Sequence, residues 1–225
     1  GMLCILVHCI VKTLRPSKPI LWYIETYLCS GLIVSRIWHY WWHLRDIRAW
    51  DPTAHVEMVN NISWLNPIPF GIFDKFYSYH PPIGFLLPRI PLSLGVYAEA
   101  SIHLVSALSA FVVFLCLRSI LRHLKLLYSI EGIAFLYITS AIPLQLFLSS
   151  SINLDILVMA YAAISLLLSI KLFSRDRIPT LQGEWLLIAG LVLTHWCALM
   201  TKCSGRVRLC IPFITAVCFQ WKNVW

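Results

Sequence analysis

Long uncharged apolar runs, separated by short polar or basic connections, dominate this chain of 225 residues. A run of about 20 apolar residues crosses the roughly 30 Å hydrocarbon core of a bilayer as an α-helix. Six runs approach this length, and the last of them is short for a span. They cover residues 20–42, 96–121, 129–148, 152–173, 185–200 and 209–221. The pattern predicts an all-α, polytopic transmembrane helix bundle of about five to six spans.

A long polar segment, residues 43–95, separates the first two runs and is rich in aromatic residues and prolines. It is too long for a simple connection. We expect it to form an outer loop that contains short interfacial helices. Residues 1–19 are interpreted as a cytoplasmic or interfacial lead-in, and residues 20–225 as one transmembrane module. Because the run 209–221 is short, we expect the chain to be truncated at its C-terminus.

Basic residues in the short connections predict the orientation of the spans. Three clusters alternate correctly if all of them face the cytoplasm, which also places the segment 43–95 outside. These clusters are Lys12, Arg15 and Lys18; Arg118, Arg122 and Lys125; and Lys171, Arg175 and Arg177. A fourth cluster, Lys202, Arg206 and Arg208, then falls on the outer side. Either the last spans are placed wrongly, or these cations have a function of their own.

Composition narrows the class of protein further. The chain is 59% hydrophobic and 12% charged, against about 25% charged residues in soluble domains. The net charge of +8 lies in short clusters between apolar runs, so we expect no nucleic acid among the partners. Most of the eight cysteines lie in apolar runs and resemble small buried hydrophobes. Because no CxxC pair occurs, the sequence gives no sign of zinc.

The segment 43–95 offers the first candidates for chemistry. Asp51 followed by Pro52 is a good helix start, and His55 lies one turn further on the same face. An N-cap at Asp51 and an ordinary interfacial histidine would explain this spacing. A partly dehydrated carboxylate at a membrane surface is also a candidate general base. The two interpretations are compatible.

Three further segments carry polar groups near the predicted outer helix ends. His80 precedes Pro81 and Pro82, which fix an extended approach before a helix can begin; it is also explained as an exposed loop histidine. Asp155 begins a predicted span, where the helix dipole favours a carboxylate whether or not it has a function. Lys202 could bind a phosphate or extend from the helix end towards water.

The order of these segments resembles the membrane glycosyltransferases of the C-type fold. The sequence has an acidic residue after the first span, His-Pro-Pro before the second, Asn-Leu-Asp entering the fourth and Thr-Lys-Cys-Ser-Gly ending the fifth. The likeness covers about residues 20–208 and is greatest to the protein O-mannosyltransferase and aminoarabinose transferase group. It implies that residues 20–225 are a catalytic module. Many relatives have Asp-Glu where this chain has Asp51 and Pro52, so metal dependence stays open and no cofactor is predicted.

The resemblance implies a donor in which a sugar is joined to dolichyl or polyprenyl phosphate. The acceptor would be a hydroxyl of a protein, lipid or glycan at the outer or lumenal face of the endoplasmic reticulum membrane or the bacterial inner membrane. Such a transfer needs a base and cations that stabilise the leaving phosphate. Asp51 would be the base, and the resemblance implies inversion at the anomeric carbon. The substrate-binding candidates are His55, His80 and Asp155, with Lys202, Arg206 and, in reserve, Arg89 for the phosphate.

Two other functions are compatible with the sequence. A transporter or channel subunit could use the acidic residues of the spans as an ion path. These residues are Glu25, Glu99, Glu131 and Asp155. A noncatalytic remnant of the glycosyltransferase fold would also retain the motifs while lacking the later spans and an acceptor domain. A flux assay beside a sugar-transfer assay would separate these alternatives.

Overall fold

The computed structural model describes residues 20–42, 52–63, 65, 83–141, 154–173 and 181–201. Within these residues the regular secondary structure is entirely helical, which confirms the predicted all-α class. The helices are α1 (Ile20–Trp42), α2 (Pro52–Asn61), α3 (Ile83–Ser93), α4 (Ala98–His123), α5 (Ile130–Ala141), α6 (Asp155–Phe173) and α7 (Leu181–Leu199).

Three helix starts lie where the local sequence predicts them. Helix α2 begins at Pro52, whose fixed φ angle suits the first helical position and whose missing N–H is not needed there. Helix α3 begins at Ile83, directly after the two prolines. Helix α6 begins at Asp155, where the helix dipole favours a negative charge. The segment 43–95 therefore does contain two short helices.

The core of the bundle is formed by α4, α6 and α7. Ala98 and Ile102, in the first turns of α4, share an apolar cluster with Leu154, whereas Val113 and Cys116 pack with residues further along α6. Helices α4 and α6 are therefore parallel. Gly190 lies against Leu168, whereas the later Thr194 has its hydroxyl 3.0 Å from that of the earlier Ser165, so these two helices are antiparallel. These directions match the predicted alternation of the spans.

Among the residues that the structure describes, two helices, α4 and α6, are long and apolar enough to cross a membrane. Helix α1 has 23 residues but is not one of these two. Large apolar side chains are exposed on several helices, among them Trp41 and Leu186, which are 72% and 68% exposed. The described helices are thus compatible with a membrane protein, and the count of five to six spans stays a prediction.

One end of the bundle, which we call the Glu25 end, joins the start of α1 to the end of α4. The Glu25 carboxylate is only 2% exposed and accepts a hydrogen bond from Arg118 Nε at 2.6 Å. The Cys29 thiol donates to the same carboxylate oxygen at 3.2 Å. Because an unpaired buried charge would be costly, this contact fixes α1 against α4.

A tight turn between α4 and α5 completes the Glu25 end. The Leu126 and Leu127 N–H groups both donate to the Leu121 carbonyl, and Ser129 Oγ accepts from the Gly132 N–H at 3.0 Å. Ser129 is therefore the N-cap of α5. A Cβ atom at Gly132 would collide with the Leu126 carbonyl oxygen, so this turn requires a glycine.

Candidate functional site

The opposite end of the bundle, which we call the Gly84 end, brings the termini of four other helices together around α3. Phe85 and Leu86 of α3 are buried in an apolar cluster with residues from α2, from the start of α4 and from the residue before α6. The other buried members are Met58, Val59, Ile62, Ala98, Ile102 and Leu154. Helix α7 ends at the same place, as its contacts with Ile83 and Gly84 show.

A main-chain hydrogen bond joins the start of α3 to the end of α7. The Ile83 N–H donates to the Met200 carbonyl at 3.0 Å. The N–H groups of the first helical turn have no partner within their own helix, and neither do the carbonyls of the last turn. The contact therefore satisfies one group from each helix and fixes where the two ends meet.

Gly84 lies where α3, α6 and α7 come closest together. A Cβ atom at this position would lie 2.7 Å from Leu154 Cδ1 and 3.0 Å from Thr201 Cγ2. Thr201 is fully buried, and its hydroxyl donates to the Cys197 carbonyl at 2.7 Å. The close approach needs a residue without a side chain, as glycine provides.

His55 extends from α2 towards α3. The centroid of its ring lies 5.6 Å from that of Phe85, with the planes tilted by 34°. The side chain is partly buried, and its Nδ1 atom is shielded from solvent. The structure thus places this predicted site residue at the Gly84 end, where its imidazole could accept or donate a proton.

Arg89 links α3 to the last turn of α2. Its Nη1 atom donates to the Val59 carbonyl at 3.2 Å and to the Asn60 carbonyl at 3.1 Å. These carbonyls belong to the last turn of α2, where the helix supplies no donor of its own. The contact gives Arg89 a partner that the sequence did not suggest, since it was predicted as a reserve ligand for phosphate.

Asp155 is the first residue of α6 and is partly buried. Its neighbour Leu154 packs against Phe85 and the other members of the apolar cluster. The backbone at Asp155 is consequently held beside the start of α3. A carboxylate at this position can act as an acceptor of hydrogen bonds, and helix capping remains a sufficient reason for its presence.

The other predicted site residues, Asp51, His80, Lys202 and Arg206, lie outside the described residues. Three of them are close in sequence to residues that the structure does describe. Asp51 directly precedes α2, His80 lies three residues before Ile83, and Lys202 directly follows Thr201. Helices α2 and α3, Leu154 beside Asp155 and Thr201 all make contacts at the Gly84 end.

Sequence reasoning missed Gly84 and the Met200 carbonyl. A glycine in the first helical turn after two prolines was the available signal. Glycine is a poor helix former and often marks a place where two backbone segments approach closely. The Met200 carbonyl left no signal, since every residue has one. Among the described residues, no group of three or more histidine, cysteine or acidic side chains could hold a metal ion.

Comparisons with family models, with curated proteins and with solved structures find no match for this chain.

Proposed function

We propose that this chain is a multi-pass integral membrane glycosyltransferase that moves a sugar from dolichyl or polyprenyl phosphate to a hydroxyl acceptor. The observation that best supports this function is the meeting of four separate sequence segments at the Gly84 end. Helix α2, which follows Asp51, helix α3, which begins three residues after His80, Leu154 beside Asp155 and Thr201 beside Lys202 all contribute contacts to that end. A transfer site needs a base, groups that bind the sugar and cations near the phosphate in one place.

The described helices support the membrane part of the proposal. Helices α4 and α6 are long and apolar enough to span a bilayer, and their neighbours expose large apolar residues that water would not favour. In the proposed bundle of five to six spans, these side chains face lipid. The membrane would be the endoplasmic reticulum membrane or the bacterial inner membrane.

The distribution of charge supports an orientation with the Gly84 end outside. Basic residues lie at the opposite end, where α4 and α6 finish and α5 begins. These residues are Arg118, Arg122, Lys125 and Lys171. Cytoplasmic connections carry an excess of lysine and arginine. The Gly84 end then lies at the outer interface, where the phosphate of a lipid donor would also lie.

In the proposed reaction Asp51 takes the proton from the acceptor hydroxyl while the oxygen attacks the anomeric carbon. The bond from that carbon to the phosphate oxygen breaks, and the lipid phosphate leaves with both electrons. Lys202 and Arg206 stabilise this phosphate. His55, His80 and Asp155 bind the sugar and the acceptor, and attack opposite the leaving group inverts the anomeric centre.

The contact between Glu25 and Arg118 weakens the case for an ion path. Glu25 is paired with a guanidinium and with the Cys29 thiol, so its charge is already compensated. It also lies at the Glu25 end, whereas Asp155 lies at the Gly84 end. The acidic residues proposed for such a path are therefore divided between the two ends.

The proposed base is tested by expressing the full chain in membranes and following radiolabelled sugar. The probes are dolichyl phosphate mannose and undecaprenyl phosphate aminoarabinose, the donors of the two groups that the sequence resembles. We expect Asp51→Asn to lower transfer by about 100-fold or more, because general base catalysis contributes about 10²–10⁴. Glu184→Gln, which changes an exposed carboxylate in the first turn of α7, is the matched control. Wild-type transfer that survives Asp51→Asn would exclude Asp51 as the base, and no wild-type transfer from either donor would contradict the proposed function.

The proposed phosphate site is tested by comparing two lysines. Lys202→Ala should weaken binding of the lipid-phosphate donor by about tenfold, as expected for the loss of one charge-assisted hydrogen bond. Lys171→Ala changes an exposed lysine at the Glu25 end and should leave donor binding unchanged. Equal donor affinity in the two variants would contradict the assignment of Lys202.

A further inference from the structure

We propose that Arg89 is a positioning residue that holds α2 against α3, and that it does not bind the donor phosphate. This inference rests on the proposed function in one respect, namely that the start of α2 belongs to the transfer site. The inference is based on the Nη1 atom of Arg89, which lies 3.2 Å from the Val59 carbonyl oxygen and 3.1 Å from the Asn60 carbonyl oxygen.

Helix α2 is too short to hold its position by itself. It has 10 residues, and isolated helices shorter than about 12–15 residues are marginal in water. Its stability must therefore come from contacts with its neighbours. Met58 and Val59 provide an apolar contact with α3, and His55 contacts Phe85 nearer the start of α2.

Arg89 adds a charged contact at the other end of α2. The carbonyls of a last helical turn carry partial negative charge, so a cation that donates to them is favoured both by hydrogen bonding and by the helix dipole. Arginine can serve two acceptors from one planar group. With His55 held near one end of α2 and Arg89 bound to the other, the rotation and tilt of α2 are both fixed.

The direction of α2 matters because Asp51 precedes its first residue. A carboxylate that removes a proton must lie within about 2.6–3.2 Å of the attacking hydroxyl. Loss of the contact at the C-terminal end of α2 would let the helix shift and would misplace its start. The donor phosphate site would be unaffected, because the end of α7 is attached to α3 through Ile83 and Gly84.

The test combines hydrogen exchange with kinetics on the full chain in lipid nanodiscs. In Arg89→Ala, amide exchange in residues 52–61 should become at least about tenfold faster, as expected when a hydrogen bond from a charged group is lost. The kcat for sugar transfer from dolichyl phosphate mannose or undecaprenyl phosphate aminoarabinose should fall about tenfold while the donor KM stays within about twofold. Arg89→Lys keeps the charge but loses the planar fork, so it should restore part of both quantities.

Arg122→Ala is the matched control, because Arg122 is an exposed arginine at the Glu25 end. It should leave both the exchange of α2 and the kinetics at wild-type values. Unchanged exchange in α2 of Arg89→Ala would overturn the inference, and so would a raised donor KM at unchanged kcat. If the wild-type chain transfers no sugar, the proposed function fails, whereas exchange in Arg89→Ala and Arg89→Lys still decides whether Arg89 holds α2.

Discussion

The Glu25 end and the Gly84 end of the bundle are held together by different kinds of contact. At the Glu25 end a buried carboxylate binds an arginine and a thiol, and a tight turn follows. At the Gly84 end the contacts are a main-chain hydrogen bond, a close approach at a glycine, an apolar cluster and the hydrogen bonds of Arg89 to the last turn of α2. The polar side chains of the Glu25 end thus stabilise the fold. At the Gly84 end backbone and apolar contacts do so, joined by the Arg89 guanidinium at the end of α2.

The largest loss of stability at either end is expected from Arg118→Ala. The substitution leaves the buried Glu25 carboxylate without its cation, and breaking a buried pair in this way costs about 3–5 kcal/mol of unfolding free energy. Transfer per folded molecule should stay near the wild-type value. Thermal unfolding in detergent measures the loss of stability, with Arg122→Ala as the control. The double variant Glu25→Gln with Arg118→Gln should be more stable than Arg118→Ala; equal stability would show that the buried charge is not the cause.

The second-largest loss of stability is expected from Gly132→Ala. The added methyl group collides with the Leu126 carbonyl, which belongs to the backbone of the turn and cannot move aside as a side chain would. Overpacking of this kind costs about 1–3 kcal/mol of unfolding free energy. Gly31→Ala is the matched control in α1, because among the described residues no atom beyond the adjoining backbone of α1 lies within 4 Å of the added Cβ. If both variants unfold at the same temperature, the turn is not as rigid as its hydrogen bonds indicate.

Gly84→Ala should destabilise the protein less than Gly132→Ala does, and it should also weaken binding of the lipid-phosphate donor. The new Cβ would meet Leu154 Cδ1 at 2.7 Å and Thr201 Cγ2 at 3.0 Å. Both atoms are ends of side chains and can move, so we expect a cost of about 1 kcal/mol, the lower part of the overpacking range.

Movement of Thr201 should displace Lys202 and lower donor affinity about tenfold, a cost of about 1.4 kcal/mol in binding. Adding Thr201→Ser removes the methyl group while keeping the hydroxyl that donates to Cys197, and should recover part of the affinity. Wild-type donor binding in Gly84→Ala would show that this close approach does not govern the site.

The smallest effect is expected from Ser165→Ala, which lies between the two ends. It removes the hydroxyl that is 3.0 Å from Thr194 Oγ1. Thr194 still donates to the Gly190 and Leu191 carbonyls, so no buried group is left without a partner. Hydrogen bonds between membrane helices contribute about 0.6 kcal/mol on average. A change in melting temperature as large as that of Gly132→Ala would mean that the middle of the bundle matters as much as its ends.

Local signals in the sequence predicted the helix starts at Pro52, Ile83 and Asp155 because each start depends on residues next to it. A proline or a carboxylate acts on the first turn of its own helix. Hydrophobic runs likewise predicted the positions of α4, α6 and α7 to within a few residues. The helical class and the two segments that are long enough to span a membrane followed from such local patterns.

Contacts between distant residues could not be predicted in the same way. Glu25 and Arg118 are 93 positions apart, and nothing in either helix indicates the other as its partner. Sequence order suggested that Glu25 could belong to an ion path and that Arg89 could bind phosphate. The packed helices pair Glu25 with the Arg118 guanidinium and Arg89 with the carbonyls of Val59 and Asn60. Side chains in apolar helices find partners by geometry, which a single sequence does not contain.

The proline content of α3 has a consequence for the order in which the protein is assembled during synthesis. Pro88 and Pro91 lie inside this helix and cannot donate to the carbonyls of Gly84 and Leu87, so α3 is poorly supported by its own hydrogen bonds. Its first turn also depends on Met200, which leaves the ribosome long after Ile83. At about 5–20 residues per second the delay is about 6 to 23 seconds. Helix α3 gains its contact with Met200 only when α7 has been made, so a chain interrupted before residue 200 would contain the Glu25 end complete but would lack the contacts that α7 adds to the Gly84 end.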